Sequence, residues 1–172
     1  MPDACTIIAS PVGPLTLVAG ERGLRAILWE HDPPSRVRIG ASVEDPDHPL
    51  LCETARQLDE YFAGRRRRFE LPLDFRGSEF QKKVWAALLT IPFGETRTYT
   101  QIAEQLGDRN AVRAVGAANG RNPISIVAPC HRVIGADGSL TGFAGGLASK
   151  QFLLTLENAW PIIAEPAQRR LL

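Results

Sequence analysis

Four consecutive residues, Pro129-Cys130-His131-Arg132, put a thiol beside an imidazole and a guanidinium. A nearby imidazole can take the proton of a thiol and positive charge favours the thiolate, which is the nucleophilic form of cysteine. The apolar run Ile124-Ser125-Ile126-Val127-Ala128 leads into this group, so a buried strand or extended segment is expected to deliver Cys130 at its end. Adjacency in sequence does not by itself bring an imidazole to a sulfur. A buried, inert cysteine beside a chance histidine fits the same spacing. The other cysteines, Cys5 and Cys52, are distant and form no CxxC pair, so neither a disulfide framework nor a cysteine-rich zinc site is indicated. Cys5 and His31 complete no four-ligand set, and no metal is expected.

The elements that must position this group fall into two halves. Residues 1–74 carry 9 Lys+Arg and 12 Asp+Glu, and residues 75–172 carry 11 and 7, so the net +1 divides into −3 and +4. The second half is the better candidate to bind a polyanion. Arg97, Arg109, Arg113, Arg121 and Arg132 lie in one stretch whose only acids are Glu104 and Asp108, a modest footprint for phosphate contacts that also fits a solvated mixed-charge surface. Arg65 to Arg68 follow Gly64 in the acidic half and read as a solvated loop. No apolar run is long enough to span a bilayer and the N-terminus has no signal-peptide pattern, so a cytosolic or nucleoid location is expected.

The first half reads as a β meander over Thr6–Ser10, Leu15–Ala19 and Leu24–Glu30, punctuated by Pro11-Val12-Gly13-Pro14 and Gly20-Glu21-Arg22-Gly23. Residues 31–49 read as a loop, 49–62 as a helix bearing Leu51, Ala55, Leu58, Tyr61 and Phe62 on one face, and Phe69–Leu73 as a returning strand. In the second half Ser78 with Gln81 forms a capping box for a helix lined by Phe80, Val84, Trp85, Leu88 and Leu89 and stopped by Pro92-Phe93-Gly94. Thr98 with Gln101 caps a short helix, Gly107-Asp108-Arg109 turns the chain, and Asn110 is placed to cap a third helix running to about Asn119-Gly120. Two short helices across a glycine turn make a helix-turn-helix, a pattern any helical hairpin shares. Ala111, Ala114, Gly116, Ala117, Ala118 and Gly120 leave the third helix nearly bare, with Arg113 as its one long charged side chain. Such a helix permits close approach to a partner, or tight packing on the core. A last amphipathic helix, Leu147–Glu157, turns Phe152, Leu153 and Leu156 inward. The fold class expected is α/β (α+β): an N-terminal antiparallel sheet domain with a flanking helix over residues 1–74, a mainly helical domain over 75–160, and a tail over 161–172.

Pro129-Cys130-His131-Arg132-Val133, preceded by Arg121-Asn122-Pro123-Ile124 and followed by residues 138–157, resembles the active-site region of the O6-alkylguanine-DNA alkyltransferases, or methylated-DNA–protein-cysteine methyltransferases. The resemblance extends through Ile91-Pro92-Phe93-Gly94-Glu95-Thr96 and the helix-turn-helix, and more loosely to Ser10-Pro11-Val12-Gly13-Pro14-Leu15 and Tyr61-Phe62-Ala63-Gly64. It implies single-turnover, cofactor-free transfer of an alkyl group from guanine O6 in double-stranded DNA to Cys130. His131 would take the thiol proton through a water, Glu157 orient His131, Asn122 brace the turn before the active site, and Tyr99 protonate or polarise the departing guanine. Arg113 would fill the gap left by a flipped nucleotide. DNA contacts in the minor groove are implied at Thr98, Arg113, Ala114, Gly116, Ala117, Arg121 and Arg132, and a lesion pocket at Tyr99, Val133, Phe143, Ala144 and Gly145. Other members often carry tyrosine and serine where this chain has Phe143 and Ala144, so a hydroxyl and a side-chain hydrogen bond are missing here. The chain is expected to be monomeric, with cooperative loading on DNA and O4-alkylthymine repair left open. The alternatives are a non-catalytic sensor of alkylated DNA, a helix-turn-helix regulator with a reactive cysteine, and a cysteine hydrolase.

Overall fold

The structure, a computed structural model, describes residues 2–160. The expected tail at 161–172 lies outside them. The first half is built on a four-stranded sheet of β1 (Asp3–Ile8), β2 (Leu15–Gly20), β3 (Gly23–Trp29) and β4 (Ser42–Glu44), in the order β3-β2-β1-β4. The three meander strands are antiparallel, as the turn signals require, but β4 runs parallel to β1, so the sheet is mixed rather than purely antiparallel. β4 lies inside the segment expected to be loop. It is a three-residue edge strand with every side chain exposed, so no buried face imposes an alternating pattern on it.

Helix α1 (Pro49–Phe62) begins where proline is tolerated, in the first turn, and buries Leu51, Leu58 and Tyr61 against the sheet. Each such side chain contributes roughly 1.5–3 kcal/mol of burial. Phe69–Leu73 is not a strand. Gln57 on α1 takes both backbone groups of Glu70, accepting from its N–H at 2.9 Å and donating to its carbonyl at 3.1 Å, so only an isolated bridge from Leu73 to Leu24 reaches the sheet. Gly23 sits at φ 150°, and a Cβ there would meet the Pro72 carbonyl oxygen at 2.7 Å, which is why this approach needs glycine.

The second half holds α2 (Glu79–Leu88), β5 (Arg97–Thr98), α3 (Tyr99–Gln105), α4 (Val112–Gly120), β6 (Val133–Ile134) and α5 (Leu147–Leu156). Both capping boxes form: Ser78 with Gln81, and Thr98 with Gln101. Asn110 is not the cap of α4. Asp108 accepts from the Asn110 N–H and starts a short 3-10 turn that runs into α4, which has no side-chain cap of its own. β5 and β6 pair in parallel, through Arg97 with Val133 and Thr98 with Ile134, and so tie the start of α3 to the segment after Cys130. On α5, Leu153 is buried and Leu156 half-buried, but Phe152 is exposed, on the outer side of the helix.

The run 124–128 is buried, as its composition requires, yet it is not a strand. Its backbone groups are satisfied locally: Ala128 N–H reaches the Ile124 carbonyl, Val127 N–H reaches Ser125, and Ile124 N–H reaches the Asn122 side chain. Ile126 adopts φ 76°, a left-handed backbone that a β-branched residue rarely takes. The coil is docked on the sheet through Ile27 N–H to the Pro123 carbonyl at 2.9 Å.

Candidate active site

Cys130 opens a 3-10 turn, Cys130–Arg132, that follows this coil, and it is 4% exposed. Burial raises its thiol above the ordinary range, while hydrogen bonds from Asn122 and Ser125 and the positive charges of Arg36 and Lys150 pull it back down. Asn122 is fully buried, donating to the Ala128 carbonyl at 2.8 Å and accepting from Ile124 N–H at 3.1 Å, so it braces both ends of the coil that delivers the thiol.

His131 and Glu157 meet 26 residues apart in sequence, Nε2 to Oε2 at 2.8 Å, with both side chains fully buried. Glu157 is the C-cap of α5, not a solvated helix carboxylate. Burial alone would raise its pKa, but His131 and Arg132 outweigh that and hold it at about 2. Its oxygens accept from four donors: Tyr61 Oη at 2.5 Å, His131 Nε2, Arg132 Nε at 2.7 Å and Arg132 Nη2 at 2.9 Å. An ionised carboxylate only accepts, so Nε2 of His131 carries its hydrogen and Nδ1 presents a lone pair. Nδ1 has no hydrogen-bond partner among the described residues. Burial lowers the His131 pKa against the pull of Glu157, so the resting ring is a neutral base.

Arg132 departs from the expected role. Its guanidinium is drawn inward onto Glu157 and the Ile91 carbonyl, at 2.6 Å, and the residue is 6% exposed, which leaves little surface to offer a phosphate. The other expected contacts lie outward. Arg113, Ala114 and Ala117 are exposed on one side of α4, Arg121 follows at its end, and Val115, Ala118 and Asn119 face inward. Gly116 is half-buried, 3.9 Å from the Tyr99 ring at its Cβ position. Thr98 is spent as the cap of α3.

The loop after β6 closes the other side. Tyr99, the first residue of α3, pairs its hydroxyl with Thr141 at 2.5 Å. Val133 is fully buried, Ala144 is exposed, and Phe143 turns inward, edge-on to Trp29 with centroids 5.3 Å apart. Gly145 lies against the Trp29 indole so closely that a Cβ would come within 2.7 Å of it.

Four further residues join the site although no local pattern marks them. Tyr61 reaches Glu157 across 96 positions of sequence, and Trp29 donates Nε1 to Ser125, also 96 positions away. Arg36 is held by Asp32 and donates Nη1 to the carbonyls of Gly120 and Asn122, clamping the turn after α4. Lys150 on α5 is fully buried, donates to the Val133 carbonyl at 2.7 Å and approaches Thr141 at 3.3 Å, with no carboxylate partner among the described residues. Its burial brings its pKa down to about 8, against an opposing pull from Cys130.

Residues 79–159 match the DNA-binding domain of the family described as 6-O-methylguanine DNA methyltransferase, and residues 4–75 match that family's ribonuclease-like domain. The chain belongs to the 6-O-methylguanine DNA methyltransferase family. Among similar family members, the methylated-DNA–protein-cysteine methyltransferase of Methanosarcina barkeri is 50% identical over 152 residues, covering 88% of this chain and 95% of that protein. The protein of that name from Mycobacterium tuberculosis is 50% identical over 156 residues, covering 88% and 90%. A crystal structure of Mycobacterium tuberculosis OGT in complex with DNA superposes with a TM-score of 0.81 at 48% identity, covering 91% of this chain and 93% of that one. The mixed α/β methyltransferase fold, sheet domain first and helical domain second, is thus shared along almost the whole chain.

Proposed function

We propose that this methyltransferase repairs DNA by direct reversal, flipping an O6-alkylguanine out of the duplex and moving its alkyl group irreversibly onto Cys130. DNA is the partner; approach through the minor groove, by a monomer, is the finer part of the proposal. The observation that carries it is the buried Cys130–His131–Glu157 arrangement set beside a helix whose exposed face bears only Arg113 and small residues.

His131 Nδ1, the lone pair left by the Glu157 contact, takes the Cys130 proton, directly or through a solvent molecule. The sulfur attacks the alkyl carbon in line, a C–S bond forms and the C–O6 bond breaks. Its electron pair passes to the guanine, which is protonated with the Tyr99 hydroxyl as donor or relay, paired as it is with Thr141. Lys150 opposes the negative charge that develops on sulfur. The thioether does not hydrolyse, so each molecule acts once. Arg113 holds the vacated stack, and an alkylated guanine flips more cheaply because it pairs poorly. Phe143 serves as an apolar wall held by Trp29, and Ala144 offers only its backbone to the base.

The test is mass spectrometry of the intact protein and its peptides after mixing with a duplex bearing one O6-methylguanine. One methyl group on the Cys130 peptide, and none in Cys130→Ser, is expected. Binding of the duplex without alkylation of any peptide would favour a non-catalytic sensor, and repeated turnover of a small ester a cysteine hydrolase.

A further inference from the structure

Apart from the cysteine site, a cavity of about 400 Å³ opens between the two halves of the chain, lined by Arg25, Ser35, Arg36, Arg38, Arg76 and Arg121 among others. Five arginines from four segments line it: β3, the loop after it, the approach to α2 and the end of α4. Three have carboxylate partners, Arg25 with Asp3, Arg36 with Asp32 and Arg76 with Asp74. Among the described residues neither Arg38 nor Arg121 pairs with a carboxylate; Arg121 reaches only the Ser35 carbonyl, at 3.3 Å.

Clustered cations without matching anions repel one another, and water screens them less inside a cleft than on open surface. Arg25 is 9% exposed and gives Nη1 to Asp3. Guanidinium groups suit phosphate, which they meet in planar, two-pronged hydrogen bonds.

We infer that this cavity is a binding site for a phosphate group, carried either by the DNA backbone or by a free phosphate ion. The DNA source rests on the repair reading above, since Arg121 directly follows the helix whose exposed face is assigned to DNA. A strand leaving α4 at that end runs onto the cavity, and Arg38 and Arg76 then extend the footprint beyond the helix-turn-helix.

The test compares the full chain with Arg38→Gln/Arg76→Gln, with Arg38→Gln alone, and with a charge-matched control on exposed α1 and the turn after it, Arg56→Gln/Arg65→Gln. Affinity for an unmodified duplex is measured across a salt series, and amide shifts of residues 35–39 are followed by NMR during titration with inorganic phosphate. A DNA phosphate in the cavity makes the slope of log affinity against log salt shallower by about 1 in the pocket variants and leaves it unchanged in the control. A free phosphate leaves the slope unchanged but gives saturable shifts in the wild type that the pocket variants lose. Unchanged slopes together with no saturable shift overturn the inference. Arg38 is exposed and has no carboxylate partner among the described residues, so its single variant reports even if the double variant fails to fold. Methyl transfer from a lesion duplex to Cys130 of the wild type is measured in the same buffer, and its failure would count against the repair reading rather than against the cavity.

Discussion

Replacing Glu157 by glutamine tests the buried network as a charge device rather than a packing unit. The amide keeps the volume but removes the negative charge that pairs with Arg132 and accepts from the neutral His131 ring, and turns one acceptor into a donor facing donors. Holding Glu157 at about 2, against an ordinary value near 4.3, corresponds to about 3 kcal/mol of folding stability at neutral pH. Leaving a buried partner charge unpaired independently suggests about 3–5 kcal/mol. For a chain of this length about 3 kcal/mol lowers the melting temperature by roughly 6–12 °C. Because the folded pKa is depressed, this stability is present above the unfolded value and is lost as pH falls toward the folded one. The deficit of Glu157→Gln should therefore be largest at pH 6–7 and shrink progressively between about pH 5 and pH 2. Urea unfolding at several pH values measures it. Methyl transfer at pH 7 should also drop steeply, since the amide no longer fixes His131 with Nδ1 free; the analogous change in a serine-protease triad costs about 10⁴-fold. A deficit that stays constant from pH 7 to pH 3, or a variant within about 0.5 kcal/mol of the wild type at pH 7, would refute the reasoning.

Gly145→Ala should slow methyl transfer, because the added carbon must displace the Trp29 ring or the loop after β6, at about 1–3 kcal/mol if the fold absorbs it; single-turnover kinetics and thermal melting report both parts. Asn122→Ala leaves the Ile124 N–H and the Ala128 carbonyl unpaired in the interior, and chemical denaturation should show a loss of about 2 kcal/mol. Arg113→Ala changes an exposed residue, so melting should barely move while transfer from a lesion duplex falls more than transfer from the free O6-methylguanine base, which has no stack to hold open. Lys150→Met removes the cation acting on Cys130, so labelling of that thiol by iodoacetamide, followed by peptide mass spectrometry, should fall at pH 7 and converge with the wild type above about pH 9, where Lys150 itself is neutral.

The parts of the fold legible in the sequence are those fixed by neighbours. The capping boxes at Ser78 and Thr98, the proline-led start of α1 and the glycine turns of the meander are local chemistry, and each forms where its residues stand. The run 124–128 misleads because β-branched apolar residues mark burial as well as strands, and here the backbone is satisfied by Asn122 and by its own turns. At the site, Cys130 and His131 are marked by type and adjacency, and Glu157, Tyr99 and Asn122 by the family resemblance. Tyr61, Trp29, Arg36 and Lys150 lack such marks, since a tyrosine on an apolar helix face or a lysine in a helix has no spacing that announces its partner. Arg132 shows the converse: charge in a basic stretch suggests a surface, while a buried carboxylate claims the side chain.

Tyr61 also bears on how such a protein can be recombined. The sheet half supplies a hydroxyl to the carboxylate behind His131, a tryptophan to Ser125 and to Phe143 of the loop after β6, and an arginine to the turn before Cys130. The boundary expected at residue 74 is therefore crossed by contacts that the site depends on. A chimera joining the sheet half of one relative to the helical half of another would need Tyr61, Trp29 and Arg36 to travel as a matched set with Glu157, Ser125 and Asn122, and a graft that broke this set would fold with its nucleophile misaligned.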